Sequence, residues 1–273
     1  MAVIAFANTK GGVGKSTLAA HFAASFEHAS RPVSLIDLDF QQRSLTHFMA
    51  ARRRLEVAAE PHLDLIDLKP DRELAQDARR AAFVEQFQHT IAELRRAGHL
   101  AIIDLPATGG GFFGVILQAA DIVFTPVNES MVDLAVIEAQ DGAAGPLGRA
   151  VRNARRQREQ NGDPPLQWAI VLNRLSPLAS RNSERVRERL NQLSSRWRFA
   201  VAGGLTERVA YRSLFDEGRT LIDSAAASQA PSESTLRALD ELSQCLGSLG
   251  VHVSDGRRAL DDLHAAGRSQ GGA

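Results

Sequence analysis

The sequence predicts an α/β fold, a doubly wound and mostly parallel sheet flanked by helices. Three observations carry this. Short apolar runs alternate along the chain with segments of helical periodicity. Most of those runs are apolar at nearly every position, the pattern of strands buried on both faces. The first run also passes through a glycine-rich turn directly into a helical pattern.

Taken in order, the first strand is 2–7, where Val3-Ile4-Ala5-Phe6-Ala7 has no polar position. A helix over 15–28 follows, opened by Leu18-Ala19-Ala20-His21-Phe22. Strand 33–38 ends in Asp37-Leu38-Asp39 and gives way to a helix over 41–55. Strand 63–67 and a helix over 71–97 come next, then strand 99–105 with Ile102-Ile103-Asp104, then a helix over 112–119. Strand 121–127 precedes one long helical pattern over 130–158, and the polar stretch 157–165 reads as a surface loop. Strand 167–173 leads to a helix over 181–198, on which Val186, Leu190, Leu193 and Trp197 share one face. Strand 199–202 and helices over 206–215 and 232–249 complete a single domain, 1–250. Residues 251–273 read as a flexible tail. Right-handed crossovers place the C-terminal ends of the strands on one edge, where ligands bind.

Apolar residues make up 44% of the 273 and charged residues 23%, as in ordinary globular proteins. The single cysteine, Cys245, excludes an intrachain disulfide framework and a four-cysteine zinc site, and fits a reducing cytoplasm. A strand beginning within two residues of the N-terminus is what a chain without a signal peptide would show. No apolar run approaches the ~20 residues that span a bilayer. The net charge is zero but unevenly spread: residues 149–219 hold 15 Arg against 7 Asp or Glu. Such asymmetry points to a polyanion-facing surface.

The chain has three lysines and 29 arginines, and two of the lysines fall inside Thr9-Lys10-Gly11-Gly12-Val13-Gly14-Lys15-Ser16-Thr17. In such a turn, successive backbone N–H groups converge on phosphate oxygens, and the helix that follows adds its positive end. Lys15 is placed to bridge the β- and γ-phosphates of a nucleotide, Ser16 to ligate Mg²⁺, and Thr17 to reach the α-phosphate. The loop departs from the common Gly-x-x-x-x-Gly-Lys-[Ser/Thr] pattern, because Thr9 holds the first glycine position.

Lys10 before a Gly-Gly pair makes the loop resemble the deviant Walker A signature of the ParA/MinD superfamily of ATPases. The resemblance implies ATP and Mg²⁺ as cofactors and a homodimer that closes around ATP, Lys10 reaching the partner's nucleotide as a catalytic group beside Lys15. Asp104, ending an apolar strand, resembles the Walker B aspartate that holds Mg²⁺ through water. Asp39 resembles the switch I aspartate that orients the attacking water, and Asp37 lies two residues earlier on the same side of the strand. Asn173 takes the position that reads adenine, and Ala107-Thr108-Gly109-Gly110-Gly111 resembles a mobile switch II.

The segments Asp37-Leu38-Asp39-Phe40-Gln41-Gln42-Arg43-Ser44, Asn128-Glu129-Ser130-Met131-Val132-Asp133, Asn173-Arg174-Leu175, Arg181-Asn182 opening an Arg-rich helix, Gly204–Phe215 and Gly218-Arg219-Thr220-Leu221 resemble the MipZ family, which positions the bacterial division plane. The resemblance implies non-specific DNA binding by the ATP dimer, nucleoid association in the cytoplasm, and ParB-like and FtsZ-like partners without a stable membrane anchor. Candidate DNA contacts are Arg185, Arg189, Arg196 and Arg198 on one helix, with Arg208, Arg212 and Arg219. Two alternatives share the fold: a ParA-like plasmid or cargo partition ATPase, and a metabolic ATP-dependent ligase.

Overall fold

The computed structural model describes residues 2–55, 63–70, 75–107, 112–176, 181–228, 230–247, 258–259, 261–262 and 264–265. Its strands are β1 (Val3–Phe6), β2 (Val33–Asp37), β3 (Leu63–Ile66), β4 (Leu100–Asp104), β5 (Ile122–Val127), β6 (Gln167–Leu175) and β7 (Ala200–Thr206). Its helices are α1 (Lys15–His28), α2 (Ser44–Arg53), α3 (Gln76–Ala97), α4 (Phe113–Ala119), α5 (Pro146–Asn161), α6 (Arg181–Trp197), α7 (Val209–Asp216), α8 (Leu221–Ala227) and α9 (Glu233–Gly247). The sheet order is β3-β2-β4-β1-β5-β6-β7, and every pairing is parallel. The expected α/β class with a doubly wound parallel sheet is what the chain adopts.

Side-chain alternation explains the layers. Ile4, Phe6, Leu35, Ile102 and Phe124 point to the face covered by α1, α2, α8 and α9. Val3, Ala5, Ile36, Ile103 and Val123 point to the other, covered by α3, α4, α5 and α6. Both faces are apolar, so the strands lack a polar side and read as continuous runs. Phe6, Phe22 and Phe124 meet with ring centroids 4.9–5.5 Å apart, seating α1 on the middle of the sheet.

Two departures from the expected elements have local causes. The long helical pattern over 130–158 is divided into a 3-10 turn at Met131–Val136 and α5. Between them Gly142 adopts φ +79, and a Cβ on Gly145 would lie 2.2 Å from the Ala135 carbonyl. Pro146 then starts α5, where its missing N–H is harmless. The short α8 follows Thr220, which forms a reciprocal capping box with Asp223 in the first turn. Of the predicted tail, the described residues 258–259, 261–262 and 264–265 are helical, Ala259 is buried, and Asp261 accepts a hydrogen bond from Ser243 on α9.

One buried group ties the phosphate-side helix to the rest. His21 on α1 is fully buried, with Nδ1 2.8 Å from the Thr17 carbonyl and Nε2 3.2 Å from the Leu221 N–H. The neutral ring therefore donates at Nδ1 and accepts at Nε2, with no room for a second proton. Burial holds its pKa down to about 4, against the opposing influence of the Thr17 carbonyl and Asp223. The unfolded chain takes up the proton near pH 6.5, so stability is full above that value and falls as pH drops toward 4. Urea unfolding at pH 7.0 and 4.5 should show His21 contributing a loss of about 2–3 kcal/mol in the wild type that is absent from His21→Asn. Equal pH dependence in the two proteins would remove His21 from that role.

Candidate nucleotide site

The site grows from the turn between β1 and α1. Asn8, fully buried, donates to the Pro126 carbonyl at 2.7 Å and accepts from the Lys10 N–H at 2.8 Å, anchoring the start of the loop to the end of β5. Gly12 and Gly14 adopt φ +71 and +91. A Cβ on Gly14 would sit 2.3 Å from the Asn173 amide, so the loop there requires glycine on two counts. Asn173 donates to the Val13 carbonyl at 2.7 Å and clamps the loop from β6. Gly11, Gly12 and Lys10 are exposed, whereas Val13 and Lys15 are buried.

The carboxylates reach the same place through strand register. Asp37 and Asp104 are paired across β2 and β4 and project to the α1 side of the sheet. Asp104 is buried and accepts from the Ser16 hydroxyl on the first turn of α1. Burial pushes its pKa up to about 7, with Asp37 and Asp39 adding to the rise and Ser16 and Lys15 opposing it. Asp37 accepts from the N–H and hydroxyl of Thr46 at 2.9 and 3.0 Å, so it fixes the start of α2. Burial raises its pKa too. Asp39 stands beyond the strand end, its Oδ1 accepting from the Gln41 and Gln42 N–H groups at 3.3 and 3.0 Å. Burial lowers the Lys15 pKa, and the Asp104 and Asp39 charges oppose this. The ammonium thus lies within the field of two carboxylates at the mouth of a nest of amides, the arrangement a polyphosphate would complete.

The donors fit Mg²⁺. Asp104 Oδ1 is buried and has no hydrogen-bond partner among the described residues, beside the Ser16 hydroxyl. Among the described residues no group of three His, Cys, Asp or Glu side chains could cage a metal.

Lys10 lies apart from Lys15. Its ammonium, with the side chain 47% exposed, pairs with the fully buried Asp133 on the 3-10 turn after β5. A shallow recess beside the loop is lined by Thr17, Asn173, Thr206, Arg208 and Tyr211. Arg208 is fixed there by Glu241 of α9, which also accepts from the Thr206 N–H and hydroxyl. Sequence reasoning assigned no role to Asn8, Asp133 or Glu241. Each has a partner far away in the chain; Asn8, a polar residue between an apolar strand and the loop, and Asp133, closing a segment that resembles the family, carried local signals that did not reveal those partners.

The candidate DNA arginines on α6 are spread along the length of the helix, and several of them are ion-paired. α6 runs from the nucleotide edge to the opposite one, so Arg196 and Arg198 lie about 20 Å or more from Arg181. Arg189 and Arg196 pair with Glu138 at 3.1 and 2.9 Å. Arg212 pairs with Glu207, whereas Arg185 and Arg219 are exposed. Residues 108–111 of the predicted switch II lie outside the described residues.

A parallel sheet of this order, with a Gly-Lys-Ser loop joining its central strand to α1, is the fold of P-loop nucleoside triphosphatases of the ParA/MinD class. Within that class the chain belongs to the MipZ family, described as ATPase MipZ, which matches residues 2–253. It is 29% identical over 163 residues to the septum site-determining protein MinD of Synechocystis, a match spanning 51% of this chain and 60% of that protein. Among solved structures, apo McdA from Cyanothece superposes with a TM-score of 0.62 at 16% identity, over 92% of this chain and all of that one. A plasmid partition protein from Borrelia burgdorferi, bound to AMPPNP, gives 0.52 at 16% identity, over 97% and 98% of the two chains.

Proposed function

We propose that the chain is a Mg²⁺-dependent ATPase switch that binds DNA without sequence preference as an ATP-closed dimer and helps position division or segregating chromosomes. The observation that carries it is the convergence of Lys15, Ser16, Asp39 and Asp104 at the loop. Family membership and the AMPPNP complex of the partition protein support the choice of ATP.

Each group has a definable task. Amides of residues 11–15 and the Lys15 ammonium bind the phosphate oxygens and neutralise charge building on them. Ser16 and, through water, Asp104 would hold Mg²⁺, which supplies further charge neutralisation on the phosphates. Asp39, its Oδ1 fixed by two amides, orients the attacking water. Asn173 and the recess beside it receive the base. Lys10 leaves Asp133 for the phosphates across the dimer, exchanging one anionic partner for another. The exposed Arg185 and Arg219 supply phosphate contacts to DNA. Among the described residues no helix is long and apolar enough to cross a membrane.

Size-exclusion chromatography with Mg²⁺ and a non-hydrolysable ATP analogue tests this reading. The wild type should shift from monomer to dimer, Lys10→Ala should remain monomeric, and random duplex DNA should co-elute with the dimer alone. Co-elution should disappear as salt rises. A dimer formed equally well by Lys10→Ala, or DNA binding indifferent to nucleotide, would overturn it.

A further inference from the structure

On the edge of the sheet opposite the nucleotide site, two grooves meet. One, of about 700 Å³, lies at the N-terminal ends of β6 and β7 beside Pro165 and Trp168. The other, of about 470 Å³, runs between α5 and the end of α6 over Trp197. They share Arg155, Glu159, Trp168 and Arg198. Each volume falls in the range of binding pockets. Gln167 and Asn173 are six residues apart on β6, so the grooves lie roughly 20 Å from the phosphate loop.

Arg155 holds this architecture together. It donates to the carbonyls of Leu166, Trp197 and Arg198 at 3.1, 2.9 and 2.7 Å, bracing the end of α6 against the start of β6. Among the described residues its charge is met by carbonyl dipoles rather than by a carboxylate, and burial together with the Arg198 charge holds its pKa below the usual arginine value. Arg152 and Arg196 lie over the Trp197 ring at 5.6 and 5.8 Å. Arg149, Arg152 and Arg156 are exposed along one side of α5. Among the described residues Arg152, Arg156 and Arg198 make no ion pair, although Glu138 neutralises Arg196. The carboxylates are placed asymmetrically: Glu159 stands where the grooves join and Asp163 lines only the first.

We propose that the joined grooves bind an extended peptide segment of a partner protein, with its acidic residues on the α5 side, against Arg152 and Arg156. Guanidinium planes take carboxylates in pairs of hydrogen bonds, and Arg152 is held in place over the buried Trp197 ring. The asymmetry favours peptide over nucleic acid. A nucleic acid carries a phosphate at every step and would set charge against Glu159 and Asp163, whereas a peptide varies its residue at each position.

Panning a displayed library of random decapeptides against the full chain tests the site. Enriched peptides should carry clustered Asp and Glu, and should bind Arg152→Glu/Arg156→Glu roughly tenfold more weakly or worse. Glu159→Gln, which removes a repelling carboxylate, should strengthen binding by about threefold, a gain that misfolding cannot produce. The melting temperature and ATP binding at the far edge report whether each variant is folded. Enrichment without acidic bias, or acidic peptides that bind the variants and wild type alike, overturns the proposal. So does a short duplex DNA that displaces the peptides and loses affinity for the double variant by the same factor, which would make the grooves a nucleic-acid surface.

Discussion

Replacing Lys15 by alanine is expected to weaken ATP binding by roughly 10²- to 10³-fold, as loss of two charge-assisted hydrogen bonds implies. The effect is large because the position is buried and electrostatically committed. Lys15 is 7% exposed, and its ammonium sits in the field of Asp104 and Asp39. Without it, incoming phosphates would face those carboxylates with only backbone amides to offset the repulsion. Isothermal titration with ATP and Mg²⁺ measures the loss, and the urea midpoint shows whether the fold survives. Affinity within threefold of wild type would show that the loop does not hold the triphosphate through Lys15.

Replacing Asp39 should leave ATP binding and dimer formation in place while lowering turnover by roughly 10²- to 10⁴-fold, the range for loss of a positioned acid–base group. Asp39 lies past the end of β2, partly exposed, and its carboxylate is oriented by the Gln41 and Gln42 amides. Alanine would also release that turn. Asparagine retains an acceptor for the two amides and loses only the charge, so Asp39→Asn separates turn geometry from chemistry. Both variants should elute as dimers with ATP and release phosphate slowly. Turnover of Asp39→Asn within fivefold of wild type would leave the carboxylate without a catalytic task.

Much of the fold was legible because its strands are buried on both faces. Val3–Phe6, Val33–Asp37 and Ile122–Val127 have no solvent side to interrupt the apolar run. The loop was legible for a similar reason, since glycines, lysine and serine lie together in the chain. Misreadings occurred where structure depends on distant groups. The alanine-rich stretch before Pro146 keeps helical periodicity, yet Gly145 must pass within contact of Ala135. Lys10 carried no sign that Asp133 holds it, and Arg208 none that Glu241 does. The arginines of α6 showed their spacing but not their destination, because periodicity reveals a face and not which end of a helix meets the nucleotide edge.

The register between β2 and β4 sets a limit on how this protein can evolve. Asp37 and Asp104 are cross-strand neighbours, Asp104 reaches Ser16, and Asp37 reaches Thr46. A single-residue insertion within either strand would turn its aspartate to the opposite face, toward α3 and α4, while leaving composition and hydrophobicity unchanged. Exposed connections such as 29–32, between α1 and β2, carry no such constraint. Lineages of this chain should therefore gain and lose residues freely between elements, while insertions and deletions inside these two short strands should be purged almost as strictly as changes of the aspartates themselves.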